Sequence, residues 1–105
     1  MIRKVRFCVV GSGRAGMVHA LNLRSRIPHA ELVAVADAER ATLSRAAREL
    51  ELDRMYTNYV DAVIDDGVDA ICISAPVFTH AEIAIAAADA GKHVFCEKPM
   101  ALSLE

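Results

Sequence analysis

A glycine motif of the form GxGxxG stands between a short apolar run and a helical pattern near the amino terminus. The apolar run covers residues 7–10, and the glycines are Gly11, Gly13 and Gly16. Glycine at the first position permits a tight turn, and glycine at the last lets a helix pack closely on the preceding strand. The motif is weak alone, but a strand before it and a helix after it are the context that it needs. The chain is therefore predicted to open with a strand, a tight turn and a helix.

Four continuous apolar runs divide the chain, at residues 7–10, 32–36, 70–73 and 94–96, and residues 55–56 form a weaker fifth candidate. Continuous runs are typical of strands that are buried on both faces of a parallel sheet. Helical patterns lie between the runs, and such alternation with short connections predicts βαβ units. We therefore expect an α/β fold with a Rossmann-type doubly wound parallel sheet, in the strand order 3-2-1-4-5.

Apolar spacing predicts which helix faces turn inward. The second helix repeats apolar residues at helical intervals, and the first helix offers a less regular set. The predicted inner residues are Leu43, Ala46, Ala47 and Leu50 in the second helix, and Met17, Val18 and Leu21 in the first.

The ends of the helix near residues 79–90 carry their own signals. Thr79 and Glu82 have the spacing of a capping box, in which each side chain accepts from the other residue's backbone amide. Gly91 is predicted to end the same helix, because glycine adopts the left-handed conformation that commonly follows a helix.

Length and charge bound the functions that the chain can have. Its 105 residues suit one domain, and 54% are hydrophobic, which excludes a disordered chain. A net charge of −2 gives no basic field for nucleic acid, and no apolar run is long enough to span a membrane. Cys8, Cys72 and Cys96 share no metal-ligand spacing, so we expect no metal and buried, reduced thiols in a cytoplasmic protein.

The glycine motif and an acid after the second strand together predict a dinucleotide site. The predicted cofactor-binding loop consists of Gly11, Ser12, Gly13, Arg14, Ala15 and Gly16. Gly13 would let the backbone approach a pyrophosphate, and the amides at the helix start would point at its oxygens. The alternative is a glycine turn without a ligand.

Asp37 ends the second strand about 20 residues after the glycines, where an acid accepts hydrogen bonds from the adenosine ribose. Its charge would repel a 2′-phosphate, so NAD is predicted as the cofactor and NADP is the alternative. Arg40, three residues later, would soften that preference unless it is simply a solvated helix residue. Asp37 could instead be only the N-cap of the next helix.

Two further segments follow strands at the carboxyl edge of the predicted sheet, where open α/β sheets bind ligands. Ser74, Ala75, Pro76 and Val77 follow the fourth strand, and His80 starts the next helix. Glu97 and Lys98 follow the fifth strand. A lysine there could hold a substrate oxygen or pass a proton, whereas a lone lysine is more often a solvated charge. His80 could equally be a helix-start residue with no ligand contact.

Three blocks of sequence, VVGSGRAG, VAVAD and GKHVFCEKP, together resemble the Gfo/Idh/MocA family of oxidoreductases. The resemblance implies that the chain binds NAD or NADP and that Lys98 lies beside the nicotinamide, where it touches the substrate as a catalytic residue. It also matches Pro76 and His80 to a loop-and-helix motif, and Glu97 to a flank of that lysine. Val77 departs from the family, since many members carry asparagine there.

The resemblance also sets expectations for the domain organisation. Residues 1–105 would be the nucleotide-binding domain, truncated before its last strand, and the C-terminal substrate domain would lie outside this chain. The complete protein would be a homo-oligomer that transfers a hydride between the nicotinamide and a sugar, a polyol or a related alcohol or carbonyl substrate. The chain alone would bind dinucleotide weakly or not at all and would not turn over. The alternatives are a stand-alone dinucleotide-binding or sensing module and a fold that binds nothing.

Overall fold

Within the part of the chain that the structure describes, one parallel sheet of five strands forms the centre. The computed structural model describes residues 4–25, 27–74 and 79–96. The strands are β1 (Val5–Val10), β2 (Ala30–Ala36), β3 (Met55–Tyr56), β4 (Ala70–Ile73) and β5 (His93–Cys96). Their order in the sheet is β3-β2-β1-β4-β5, and every neighbouring pair is parallel, which confirms the predicted topology.

Four helices among the described residues cover the two faces of the sheet. They are α1 (Arg14–Ser25), α2 (Arg40–Leu50), α3 (Tyr59–Val63) and α4 (His80–Asp89). Phe7 and Val9 of β1 pack in a cluster with residues of α1, whereas Cys8 and Val10 pack in a cluster with residues of α3 and α4. Successive side chains of a strand point to opposite faces, so a strand covered on both faces must be apolar throughout. This explains the continuous apolar runs in the sequence.

The inner face of α1 differs from the prediction. Gly16, Ala20 and Leu23 are its buried residues. Val18 is 54% exposed and Leu21 is 48% exposed, so the prediction that these two residues face inward was wrong. The cause is Gly16, which lies so close to the backbone of Gly11 that it dictates the packed face. Ala20 and Leu23, four and seven positions after Gly16, then lie on the same face of the helix.

The remaining helices agree with the sequence in part. The predicted inner residues of α2 are all buried, which confirms its face. The short helix α3 was not predicted; Asn58 caps it, because its Oδ1 accepts the Val60 amide at 3.0 Å. At the other end of the chain, Gly91 follows α4 with φ +78° and confirms the predicted stop.

The capping box predicted for α4 does not form. Thr79 has φ −101° and ψ −5°, which is a helical conformation, and it makes no side-chain cap hydrogen bond. The Glu82 carboxylate was predicted to accept a hydrogen bond from the Thr79 amide. It instead accepts one from the hydroxyl of Tyr59 on α3, at 2.5 Å. A tertiary partner has therefore replaced the local one.

Candidate functional site

The loops that leave β1, β2 and β4 are tied together at the carboxyl edge of the sheet. The Gly11 amide donates to the carbonyl of Ala36 at 2.7 Å, and the Ser74 amide donates to the carbonyl of Val10 at 2.7 Å. The Asp37 amide donates to the carbonyl of Tyr56 at 3.0 Å. The structure thus brings together Gly11, Asp37 and Ser74, which the sequence had placed on three separate segments.

The three glycines of the loop have different reasons to be glycine. Gly11 has φ +98°, a left-handed conformation that favours glycine. A Cβ on Gly16 would lie 1.8 Å from the carbonyl oxygen of Gly11, so no side chain fits there. A Cβ on Gly13, by contrast, would meet nothing within 4 Å. Nothing in the described fold requires Gly13 to be glycine, whereas a ligand that approached its backbone closely would.

The start of α1 presents backbone amides to this open space. The amide of Met17 donates to the carbonyl of Gly13 at 2.9 Å, as the first hydrogen bond of the helix. The amides of Arg14, Ala15 and Gly16 come before that bond, so helix geometry gives them no acceptor within α1. Arg14 and Ala15 are exposed. Such a helix start attracts anions through its amides and its dipole.

Asp37 holds the glycine loop through its side chain. Its Oδ2 accepts from the Ser12 amide at 2.7 Å and from the Ser12 hydroxyl at 3.0 Å. Its Oδ1 accepts from the amide of Glu39 at 2.9 Å, and Glu39 rather than Asp37 is the N-cap of α2. An ionised carboxylate offers about four acceptor positions, so a hydroxyl donor could still bind. The alternative that Asp37 is only the N-cap of α2 is therefore wrong, and Arg40 is an exposed residue at the start of α2.

A cleft of about 650 Å³ opens beside Asp37. It runs from the glycine loop, past the turn after β2, to the segment after β3 and the start of α4. Its lining includes Gly11, Asp37, Thr57, Tyr59, Thr79 and Ile83. Among the described residues, its charged lining groups are Asp37 and Glu39, and neither lysine nor arginine contributes. The cleft is consequently acidic at one end and largely apolar elsewhere.

The other predicted site residues are only partly described. The Cβ of Ser74 is 3.5 Å from the point where a Cβ of Gly16 would lie, so Ser74 is beside the glycine loop. His80 is 2% exposed in the first turn of α4, next to the cleft residue Thr79. The predictions for Ala75, Pro76, Val77, Glu97 and Lys98 fall outside the described residues.

The wall of the cleft that follows β3 was not predicted from the sequence. Thr57, Asn58 and Tyr59 line it, and none of them was a candidate. The available signal was their place directly after a predicted strand, at the edge where parallel sheets bind ligands. That strand is only two residues long, which hid the signal.

Over residues 4–25, 27–74 and 79–96, no group of three or more histidine, cysteine, aspartate or glutamate side chains could hold a metal ion. None of the helices in those ranges has both the length and the apolar character to cross a bilayer.

Several known proteins with similar sequences are named inositol 2-dehydrogenases. The scyllo-inositol 2-dehydrogenase (NAD(+)) of Bacillus subtilis is 41% identical over 105 residues, which is 100% of this chain and 31% of that protein. The myo-inositol 2-dehydrogenase of Thermotoga maritima is 39% identical over 100 residues, which is 95% of this chain and 30% of that protein. The chain thus spans about a third of the length of these curated relatives.

A solved structure and a family profile lead to the same group. The crystal structure of scyllo-inositol dehydrogenase from Lactobacillus casei with bound NAD(H) and scyllo-inositol superposes with a TM-score of 0.87. It is 36% identical, and the match covers 93% of this chain and 29% of that one. The profile of the Gfo/Idh/MocA oxidoreductases, described as having an NAD-binding Rossmann fold, matches residues 5–105. The resemblance seen in the sequence motifs is thereby confirmed, and this chain belongs to the Gfo/Idh/MocA oxidoreductase family.

Proposed function

We propose that residues 1–105 form the NAD-binding domain of a dehydrogenase that transfers a hydride between the nicotinamide and a polyol of the inositol type. The substrate domain is proposed to lie outside this chain. The observation that carries the proposal is the link between Asp37 and Ser12 beside the open space at Gly13. The names of the relatives, which are inositol dehydrogenases, support the substrate class.

The described residues fit the adenosine and pyrophosphate parts of NAD. The pyrophosphate would approach Gly13 and receive hydrogen bonds from the amides at the start of α1. The ribose hydroxyls would donate to the carboxylate of Asp37, and the adenine would enter the cleft beyond it. When bound, NAD supplies the carbon that accepts the hydride, while these residues bind and orient it.

NAD rather than NADP is the proposed cofactor. A 2′-phosphate on the adenosine ribose would lie next to Asp37, where Glu39 also contributes to the cleft. The described lining holds no lysine or arginine that would offset this negative charge. Like charges at such close range raise the free energy of binding. Arg40 is exposed on α2, and it is not among the described lining residues.

The nicotinamide end of the site is proposed from the family resemblance. We assign it Ser74, Ala75, Pro76, Val77, His80 and Glu97, together with Lys98 as the residue that touches the substrate. Two described facts support this half of the proposal. Ser74 lies against the glycine loop, and β5 ends at Cys96, two residues before Lys98.

A nuclear magnetic resonance titration of the ¹⁵N-labelled chain tests the proposal, because it detects weak binding at single residues. NAD is expected to shift the amide resonances of residues 11–16 and of Asp37, and NADP is expected to require higher concentrations for the same shifts. Gly13→Val should lose the response, since its side chain fills the space for the pyrophosphate. The proposed function would be refuted if millimolar NAD changed neither the spectrum of the folded chain nor that of a longer chain that includes the proposed substrate domain.

A further inference from the structure

Tyr59 and Glu82 join two walls of the cleft. Tyr59 is the first residue of α3 and lines the cleft, whereas Glu82 lies in the first turn of α4. The Tyr59 hydroxyl donates to Glu82 Oε2 at 2.5 Å. Thr79 and Ile83, which flank Glu82 on α4, line the cleft as well. The hydrogen bond therefore ties the α3 wall to the α4 wall.

Backbone hydrogen bonds connect Asp37 to the segment that carries Tyr59. The Asp37 amide is bonded to the Tyr56 carbonyl, so β3 ends beside the ribose-binding acid. Asn58 then caps α3 and starts the helix directly at Tyr59. Asp37 and Tyr59 line the same cleft.

We propose that Tyr59 is a contact residue for the adenine of the cofactor and that Glu82 is a positioning residue that holds its ring in place. The inference rests on the proposed function, because the ligand is the adenosine half of NAD. Purines stack well on aromatic side chains, since both present flat, apolar faces. A tyrosine fixed through its hydroxyl loses less rotational freedom on binding than a free one.

The hydrogen bond also widens the pH range in which Tyr59 can donate. Donation to the Glu82 carboxylate raises the pKa of the Tyr59 hydroxyl, with burial as the second cause. A tyrosine hydroxyl is protonated at neutral pH even at its ordinary pKa of about 10, and the raised pKa keeps it protonated to a higher pH. Deprotonation, which would place two negative oxygens together, is disfavoured.

Titrations with AMP and with inorganic pyrophosphate test the inference. AMP carries the adenine, whereas pyrophosphate makes the phosphate contacts without a base. Tyr59→Ala should weaken AMP binding roughly tenfold or more, because stacking on the ring is lost. Tyr59→Phe keeps the ring and loses one hydrogen bond, so a loss of roughly two- to tenfold is expected. Pyrophosphate affinity should not change in either variant.

Two glutamate variants isolate the hydrogen bond from the charge. Glu82→Gln and Glu82→Ala both remove the negative charge, but glutamine still accepts from the tyrosine hydroxyl. AMP should bind Glu82→Gln more tightly than Glu82→Ala. The ratio of these two affinities should equal the factor by which Tyr59→Phe weakens AMP binding relative to wild type. The double variant Tyr59→Phe/Glu82→Ala should be no weaker than Glu82→Ala, because the two changes break one interaction.

The other tyrosine of the chain is the matched control. Tyr56→Phe also loses a hydrogen bond to a carboxylate, that of Asp65, but this hydroxyl is not part of the described cleft lining. It should leave the ratio of AMP to pyrophosphate affinity unchanged. Equal effects of the Tyr59 variants on both probes, or no effect on AMP, would overturn the inference. Failure to bind either probe, both by the wild-type chain and by a longer chain that includes the proposed substrate domain, would instead refute the proposed function. If Tyr59→Ala fails to fold, the Glu82 pair still decides.

Discussion

Gly16 and Gly13 belong to one motif, but the fold does not require them in the same way. Gly16 is required by the fold, since a side chain there would collide with the backbone of Gly11. A Cβ on Gly13 would meet nothing within 4 Å, so the described fold does not require glycine there, and its proposed role is contact with the ligand. The sequence motif predicts both glycines in the same way. The structure separates the glycine that the fold requires from the glycine that it does not.

Alanine substitutions test this division. Gly16→Ala puts a Cβ 1.8 Å from a carbonyl oxygen, so the backbone must shift. We expect the free energy of unfolding in urea to fall by about 1–3 kcal/mol. Gly13→Ala is the control at the same loop and should change stability by less than about 0.5 kcal/mol, while NAD affinity falls. Equal losses of stability in the two variants would contradict the assignment.

The role of Asp37 was predicted only in part from the sequence. Its distance from the glycines places an acid at the end of β2, which the structure confirms. Its hydrogen bonds to Ser12 depend on how two loops meet in space. A pattern along one chain segment carries no information about such a meeting. The acid therefore helps to shape the loop and is at the same time the proposed ribose ligand.

At the scale of elements, a group of contacts around Asp65, called the brace below, stabilises the connection between α3 and β4. Asp65 accepts hydrogen bonds from the Tyr56 hydroxyl and, at 2.7 Å, from the Gly67 amide. The Arg54 guanidinium lies 3.6 Å from the same carboxylate. Lys92, just before β5, donates to the carbonyls of Asp65 at 2.8 Å and Val68 at 2.6 Å. These contacts link β3, the α3–β4 loop and β5.

The brace predicts losses of stability at both ends of the pH scale. The Tyr56 hydroxyl holds the pKa of Asp65 below its usual value, so this stabilisation is complete above about pH 4 and is lost on further acidification. Burial, with the Asp65 hydrogen bond, raises the pKa of Tyr56 to about 12. Its contribution is present below about pH 10 and is lost as the pH rises towards 12.

The urea concentration at the midpoint of unfolding, measured at a series of pH values, tests these losses of stability. Tyr56→Phe should flatten the acid limb, because the hydrogen bond to Asp65 is lost, and the alkaline limb, because the partly buried hydroxyl that titrates there is removed. Tyr59→Phe, which leaves the brace intact, should retain the acid limb. An unchanged acid limb in Tyr56→Phe would show that other contacts determine the Asp65 titration.

Helix prediction succeeded where the packed face is repetitive and failed where one contact dominates. The face of α2 follows from four apolar residues at regular spacing. The face of α1 is dictated by a single glycine contact, which apolar spacing does not reveal. The five-residue helix α3 is too short for a periodic pattern and depends on its Asn58 cap.

At the scale of the whole molecule, the order of the strands was predictable because their burial leaves a continuous apolar signature. The central strands β1 and β4 are covered on both faces, and alternating β–α elements allow few topologies. The cleft was less predictable. It forms between segments that are far apart in sequence, and its α3 and α4 walls meet through side chains.

The centre of the sheet should protect its cysteine from chemical labelling. Cys8 on β1 is 0% exposed, and burial raises the pKa of its thiol well above the usual range. Alkylation of Cys8 should therefore require opening of the sheet and proceed roughly a thousandfold or more slowly than in urea-unfolded chain. Peptide mass mapping of chain treated with iodoacetamide at pH 8 provides the measurement. Rapid native labelling would contradict the burial of β1.

The two tyrosines have a consequence for optical measurements. The chain contains no tryptophan, so its ultraviolet emission comes from Tyr56 at the brace and Tyr59 at the cleft. Each phenol donates to a different carboxylate. Replacing Tyr56 with phenylalanine leaves a single fluorophore, and it stands on the wall where the adenine is proposed to bind. The protein thus carries a built-in reporter of its own cleft, without any attached dye.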